Sequence, residues 1–288
     1  MVEVNKSILK DIYKERDKGV KKYDFGLLVV IGGSEFYSGS PALSAMAAFK
    51  AGVDMVRLVA PKRAADIIAS FSPTMAALPL EGKWLEKKHL ATLISTVESA
   101  KAVSNNKTAV VIGGGTGRSE EVQETILEFL SQVACPVVID NDAIHAISKK
   151  PDIVVGKDFL ITPQTYEFFL LTGKKVYGLP DEDRIKIVQE EALKLHTTIL
   201  LKGTIDIISD GKEVAISRTG TPYMTKGGCG DTLAGICGAL LARGIDAFTA
   251  AQAGAYINGK AGEIAAQRMR EGLLPTDLIE AIPEALHP

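Results

Sequence analysis

Cysteine is scarce in this 288-residue chain: Cys135, Cys229 and Cys237 are the only three. They form no CxxC and no metal-ligand spacing with the four histidines, His89, His145, His196 and His287. That excludes a disulfide framework and a histidine metal site, and it fits a reducing compartment. An excess of one charge is also missing, since 33 Lys and Arg face 35 Asp and Glu. The basic pairs Lys21-Lys22 and Lys149-Lys150 are too small to be nucleic-acid patches, so neither nucleic acid nor an anionic membrane is expected as a partner. No run approaches the ~20 apolar residues of a membrane span, and Met1 to Lys6 contains no apolar signal core. A soluble, cytoplasmic protein is the expectation. Several motifs are absent too. There is no Gly-x-Ser-x-Gly elbow, no Walker Gly-Lys-Ser/Thr, and no Gly-x-Gly-x-x-Gly after a strand with an acid farther on.

What the chain does have is apolar content, 46% of its residues, in a repeating order. Leu27–Ile31, Met55–Val59, Ala109–Ile112, Val137–Ile139, Phe159–Ile161 and Ile199–Leu201 are mostly continuous apolar runs. Strands buried on both faces of a parallel sheet read this way. Helical patterns over Pro41–Lys50, Leu85–Ser99, Glu120–Gln132, Tyr166–Leu171 and Asp183–Leu195 alternate with them. This order predicts an α/β fold with a mostly parallel sheet and helices on both sides. Near Ile205–Ile216 two short strands joined by Asp210-Gly211 predict a hairpin. Helices over Asp231–Ala242, Ala247–Arg270 and Thr276–Ala285 follow. No linker, charge block or repeat interrupts the pattern, so residues 1–288 are read as a single domain.

Parallel sheets bind ligands beyond the carboxyl ends of their strands, and the informative clusters fall there. The strongest is Gly227-Gly228-Cys229-Gly230-Asp231 at a predicted helix start. Open backbone N–H groups and the positive end of the helix suit phosphate or a developing anion. Asp231 in the same turn can accept a proton, and the pairing is what phosphoryl transfer needs. The competing reading makes Asp231 a simple N-cap. Cys229 reads as a small packing residue. Gly32-Gly33-Ser34 closes the first strand, and its glycines allow close backbone approach, to a ligand or within a tight connection. Four of the five residues Gly113 to Gly117 are glycine, a costly connection that favours backbone contact with a ligand. Asp140-Asn141-Asp142 could hold a cation, with Asp142 the better candidate for a helix cap. Glu167, after Thr162-Pro163-Gln164, reads as helix-start chemistry. Lys202-Gly203-Thr204 offers a lysine to phosphate or to solvent.

Taken in order, these segments resemble the ribokinase-like superfamily, and within it the ADP/ATP-dependent NAD(P)H-hydrate dehydratases. The resemblance rests on Gly32-Gly33-Ser34 with Tyr37, Gly39 and Pro41; Val110–Gly117; Leu160–Pro163 with Glu167-Phe168; and Met224–Gly235. Gly254–Gly262 and Gly272–Ile279 look like the family's tail. It implies a three-layer α/β/α fold and dehydration of NADHX or NADPHX driven by ADP or ATP cleavage, with Mg²⁺. A homo-oligomer is expected separately, with the small-residue-rich helices after Asp231 packing within the fold or against another subunit. By the same resemblance the nucleotide lies against Lys202, Gly203, Thr204, Ile205, Asp206 and Gly230. The hydrate meets Ser40, Gly115, Gln164 and Asp231, and Asp231 with the amides of Gly228 and Gly230 is catalytic. The chain departs from the family pattern at Gln164 (usually His), Tyr166 (usually Gly) and Ser40 (commonly Ala). Gly114 and Thr116 also replace two residues of the usual Gly-Pro-Gly-Leu-Gly. Gln can hydrogen-bond but carries no proton at neutral pH. Many relatives carry an N-terminal epimerase domain, and none is expected here. A small-alcohol kinase of the same fold is the rival enzyme, although hydroxyethylthiazole and hydroxymethylpyrimidine kinases carry Cys where Asp231 stands. A nucleotide sensor is the non-enzymatic rival, and it would not need that acid.

Overall fold

A computed structural model describes residues 1–287. The apolar runs pair into one ten-stranded sheet. In chain order the elements begin with β1 (Val2–Glu3), α1 (Leu9–Ile12), β2 (Leu27–Ile31), α2 (Gly39–Lys50), β3 (Met55–Pro61), α3 (Lys62–Ala69) and β4 (Ala76–Leu80). The middle of the chain supplies α4 (Leu90–Val103), β5 (Thr108–Ile112), α5 (Glu120–Gln132), β6 (Val137–Ile139), α6 (Asp142–Ser148), β7 (Phe159–Ile161) and α7 (Thr165–Thr172). Then come α8 (Asp181–Leu195), β8 (Thr198–Leu201), β9 (Asp206–Ser209), β10 (Val214–Ser217), α9 (Cys229–Ala242), α10 (Ala247–Met269) and α11 (Pro275–Leu286).

The strand order is β1-β10-β9-β8-β7-β6-β5-β2-β3-β4, and only β9 runs against its neighbours. Alternation splits the core into two layers. Leu28, Val30, Ala109, Val111, Val138, Leu160 and Leu200 pack with α2, α3, α9, α10 and α11. Leu27, Val29, Ile31, Val110, Ile112, Val137 and Ile139 face the other way, toward α4 to α8. Sheet residues of β2, β5, β6, β7 and β8 are buried throughout, which is why their sequences run apolar without a polar phase.

The expected α/β architecture is present, with local differences: the short elements β1, α1 and α6 add to the expected set, and four other regions depart from it. β4, Ala-Ala-Leu-Pro-Leu, is apolar yet does not read as a strand, because Pro79 and two alanines disfavour one; it is a partly exposed edge strand, the place where proline is tolerated. Helix α3 follows β3 without an intervening loop, so no turn signal marks it. The hairpin loop spans the four residues 210–213 rather than the Asp-Gly pair alone; Asp210 Oδ1 accepts from Lys212 N and Glu213 N. Helix α4 starts at Leu90, because a 3-10 turn over Lys87–His89 replaces its first predicted turn. No helix among the described residues is long and apolar enough to cross a membrane.

Candidate active site

The carboxyl ends of β2, β5, β6, β7 and β8 share one edge of the sheet, and α9 begins above it. Helix α9 opens at Cys229 behind Gly228, which takes φ +106° as the cap. An L side chain is strained at that angle, and a Cβ there would also press on Pro275 Cγ at 2.6 Å and Leu43 Cδ1 at 2.7 Å. Thr232 Oγ1 and Asn258 Nδ2 both donate to the Cys229 carbonyl, fixing the turn to α10. Cys229 N donates to the Lys226 carbonyl at 3.3 Å, while the Gly230 and Asp231 amides meet no acceptor among the described residues. Open amides of this kind are a helix start ready for an anion.

Asp231 therefore lies in the first turn of α9 and is not its cap, in contrast to the simple N-cap reading. It is buried to 7% exposure. Ser40 Oγ donates to its Oδ1, and Asn141 Nδ2 donates to the same oxygen at 2.8 Å. Among the described residues no hydrogen bond reaches Oδ2. Burial, reinforced by the neighbouring Asp140 carboxylate, pushes the Asp231 carboxyl up to about 6, against the lowering effect of Ser40, Lys202 and Asn141. Asp140, itself 1% exposed, accepts from Thr162 Oγ1 at 2.8 Å and from Lys202 Nζ at 2.7 Å, both on Oδ1. Burial alone would lower the Lys202 pKa, but the carboxylates of Asp140, Glu167 and Asp231 outweigh it and raise the ammonium.

Two cavities open on either side of this group. One, of about 300 Å³, is walled by Asp231, Ser40, Tyr37, Gly115, Gln164 and Arg118, with Gly228 and Gly230 at its base. The other, of about 370 Å³, is walled by Lys202, Gly203, Thr204, Asp206, the Thr219–Thr221 strand end and Asn258. Gly230 lines both. A Cβ on Gly230 would stand 3.4 Å from Lys202 Nζ, so the ammonium sits at the junction.

Of the residues singled out in sequence, Asp231, Gly228, Gly230, Lys202, Gly203, Thr204, Asp206, Ser40, Gly115 and Gln164 all line one cavity or the other. Ile205 does not: its side chain is buried in the core layer beneath α4 to α8 and is not among the residues that wall the Lys202 cavity. Ser40 spends its hydroxyl proton on Asp231, so it serves the acid directly. Asp206 Oδ1 accepts from Gly203 N at 3.0 Å, and burial raises its carboxyl to about 6. Asp142 does not cap α6. Its carboxylate takes Gly117 N at 2.9 Å and Arg118 Nε at 2.6 Å, tying the glycine loop to the helix. Glu167 does close a helix-start bond, accepting from Gln164 N at 2.8 Å. Among the glycines at 32–33 and 113–117 only Gly115 lines either of the two cavities. Gly32 and Gly33 face Gly114, whose carbonyl accepts from Gly33 N at 2.8 Å, and a Cβ on Gly114 would collide with Ser40 Oγ. Their cause is the close packing of two loops, not the ligand contact expected for them. Asn141 and Asp140 are the residues whose contacts the sequence left open, since Asp-Asn-Asp at a strand end carries no sign of which side chain turns inward. Cys229 is buried and its thiol is raised to about 11 by that burial, as a packing residue would be.

Sheet order, crossover helices and an anion-ready helix start at the strand ends define a protein of the ribokinase-like fold. A ribokinase-like superfamily protein from Enterococcus faecalis superposes with a TM-score of 0.84 at 24% identity, covering 99% of this chain and 95% of its own. The ADP/ATP-dependent NAD(P)H-hydrate dehydratase of Bacillus subtilis, co-crystallized with ATP and Mg²⁺, gives 0.81 at 23% identity over 99% and 97%. Residues 28–284 match the model of the NAD(P)H-hydrate dehydratase family, and the chain belongs to that family. It is 40% identical over 268 residues to a bifunctional NAD(P)H-hydrate repair enzyme of Pyrobaculum aerophilum, covering 92% of this chain and 51% of that one. It is 33% identical over 273 residues to an ADP-dependent (S)-NAD(P)H-hydrate dehydratase of Cenarchaeum symbiosum, covering 95% and 92%. The chain thus spans about half the length of the bifunctional relatives it matches.

Proposed function

We propose that this protein restores NADH or NADPH from the hydrated cofactor, driving the loss of water with cleavage of ADP or ATP. One observation carries the reading: Gly230 is shared by two cavities, with the acid Asp231 on one side and the ammonium of Lys202 on the other. The hydrated nicotinamide takes the cavity of Asp231, Gly115 and Gln164, and the nucleotide takes that of Lys202, Gly203, Thr204 and Asp206. Asp231 Oδ2 removes the proton from the hydrate hydroxyl. The freed oxygen attacks the terminal phosphorus of the nucleotide in line, and the bond from that phosphorus to the bridging oxygen breaks. The Gly230 and Asp231 amides and Lys202 stabilise the charge gathering on the transferring group. Electron push from the ring nitrogen then breaks the carbon–oxygen bond and expels phosphate, leaving an iminium. Loss of a proton from the adjacent ring carbon, to the departing phosphate or to water, re-forms the carbon–carbon double bond. Hydroxide leaves poorly and phosphate well, which is what the nucleotide contributes. Mg²⁺ would arrive on the nucleotide phosphates, which supply the hard oxygen ligands it prefers.

Incubating the protein with hydrated NADH and either ADP or ATP tests this directly. NADH absorbance should return only with nucleotide present, in step with phosphate release. Nucleotide consumed without NADH, or a stable phosphorylated product, would reject the dehydratase assignment.

A further inference from the structure

Asn141 stands at φ +50° and ψ −121°, a backbone region open to glycine and sparsely visited by other residues. It is held there from both sides. Asp140 N donates to the Ile112 carbonyl at 3.1 Å, and the Asp140 side chain is locked between Thr162 and Lys202. Asp142 next to it is fixed by Gly117 N and Arg118. Its side chain does not cap α6, which is the usual use of an asparagine at that position. The amide crosses instead to the Asp231 carboxylate, ninety positions along the chain, and donates to Oδ1. Ser40 Oγ donates to the same atom, and Gly114 packs close enough to both to leave no room for a Cβ. Two donors on one oxygen fix the plane of the carboxylate and leave Oδ2 as its only open acceptor.

We propose that Asn141 is a positioning residue for the reaction, and that its strained backbone is retained to aim one amide proton at Asp231. With Ser40 it turns Oδ2 toward the hydrate hydroxyl and favours the ionised acid. This rests on the dehydratase reading for its role in turnover, but not for its effect on Asp231 itself. The charged groups facing Asp231 are Asp140 at the end of β6 and Lys202 at the end of β8. Tyr37 ahead of α2 and Cys229 within α9 are its other titratable neighbours, and Arg118, Lys226 and Asp142, the last paired with Arg118, share its cavity. None of these is altered by a change at 141, so a shift in the acid's titration reports the lost amide.

Asn141→Gly separates positioning from scaffolding, because glycine accepts the backbone angle and removes only the amide. The expected result is a melting temperature equal to or above that of the parent, with kcat lowered ~10-fold and the nucleotide KM unchanged. The acid limb of the pH–rate profile should move up by about one pH unit, the scale of one hydrogen bond to a charged group. Asn141→Asp keeps the shape but sets a second carboxylate against Asp231, and should move the limb further in the same direction. A lower melting temperature with kcat and limb unchanged would overturn the proposal and make Asn141 purely structural. Carboxyl-carbon NMR of Asp231 in parent and Asn141→Gly gives the same answer without turnover: coincident titration midpoints overturn it. If the parent protein fails to dehydrate the hydrate while the midpoints still differ, the functional reading falls and the positioning effect stands.

Discussion

Asp231 occupies a setting that works against its own charge. Burial and the adjacent Asp140 raise its carboxyl from an ordinary 3.8 to about 6. A folded-state value above the unfolded one means that the native protein binds the proton more tightly. Stability contributed by this group is therefore full below pH ~4, falls as the pH rises from ~4 to ~6, and is absent above that range. At neutral pH the ionised acid costs the fold on the order of 2–3 kcal/mol. Asp231→Asn removes that cost and the base together. We expect the variant to melt higher at pH 7, to lose at least ~100-fold in turnover and to keep its nucleotide affinity. Thermal melts across pH 4 to 7 should show the parent's slope flattened in the variant. The parent's rate should fall as the pH drops below about 6, where the base becomes protonated. An Asn variant with near-normal turnover would remove this acid from the mechanism.

The turns beyond β6 and β8 are joined by one buried ion pair, and it has two separable effects. Lys202 Nζ donates to Asp140 Oδ1 at 2.7 Å, and the same residue lines the cavity proposed for the nucleotide. Lys202→Met strands a carboxylate that is 1% exposed, so we expect a loss of about 3 kcal/mol in unfolding free energy together with weakened nucleotide binding. Adding Asp140→Asn removes the orphaned charge. The double variant should recover most of the stability and none of the affinity, as read by denaturant melts and nucleotide titration; recovery of both would make the lysine structural only. This division also explains what was legible in the sequence. Apolar runs marked β2, β6 and β7 to the residue, and Gly227 to Asp231 marked the start of α9, because burial and helix-start chemistry leave local signatures. The ion pair and the Asn141 contact have none. They arise because residues 62 and 90 positions apart are brought together by sheet order, which single-chain periodicity does not encode. Ile205 differs for a simpler reason: in the short bend between β8 and β9 it is the apolar residue, and it packs into the core while its polar neighbours line the cavity.

At the scale of the whole molecule, the cavities lie on opposite sides of one glycine, so two ligands can be held at once with their reacting ends together. The sheet makes this possible: β2, β5, β6 and β7 deliver Tyr37, Ser40, Gly115, Asn141 and Gln164 to one side, and β8 and β10 deliver Lys202 to Thr204 and Thr219 to Thr221 to the other. Helix α9 is the partition, seated by Ser44 Oγ on the Asp231 carbonyl and by Gly235 against the backbone of α2. Holding both reactants against it converts an encounter in solution into a step within one complex, the largest gain that positioning alone can supply. It also makes a prediction that does not require the reaction to proceed. A nucleotide analogue that cannot be cleaved and the repaired product, NADH, should bind together, each with an affinity little changed by a saturating amount of the other. Lys202→Met should weaken the analogue and spare NADH, while bulk added at Gly115 should do the reverse, because a Cβ there meets the Tyr37 ring that walls the hydrate side. Titration calorimetry with each ligand, alone and in the presence of the other, reads both effects. Competition between the two would mean that they share one cavity, and the division of labour across Gly230 would then be wrong.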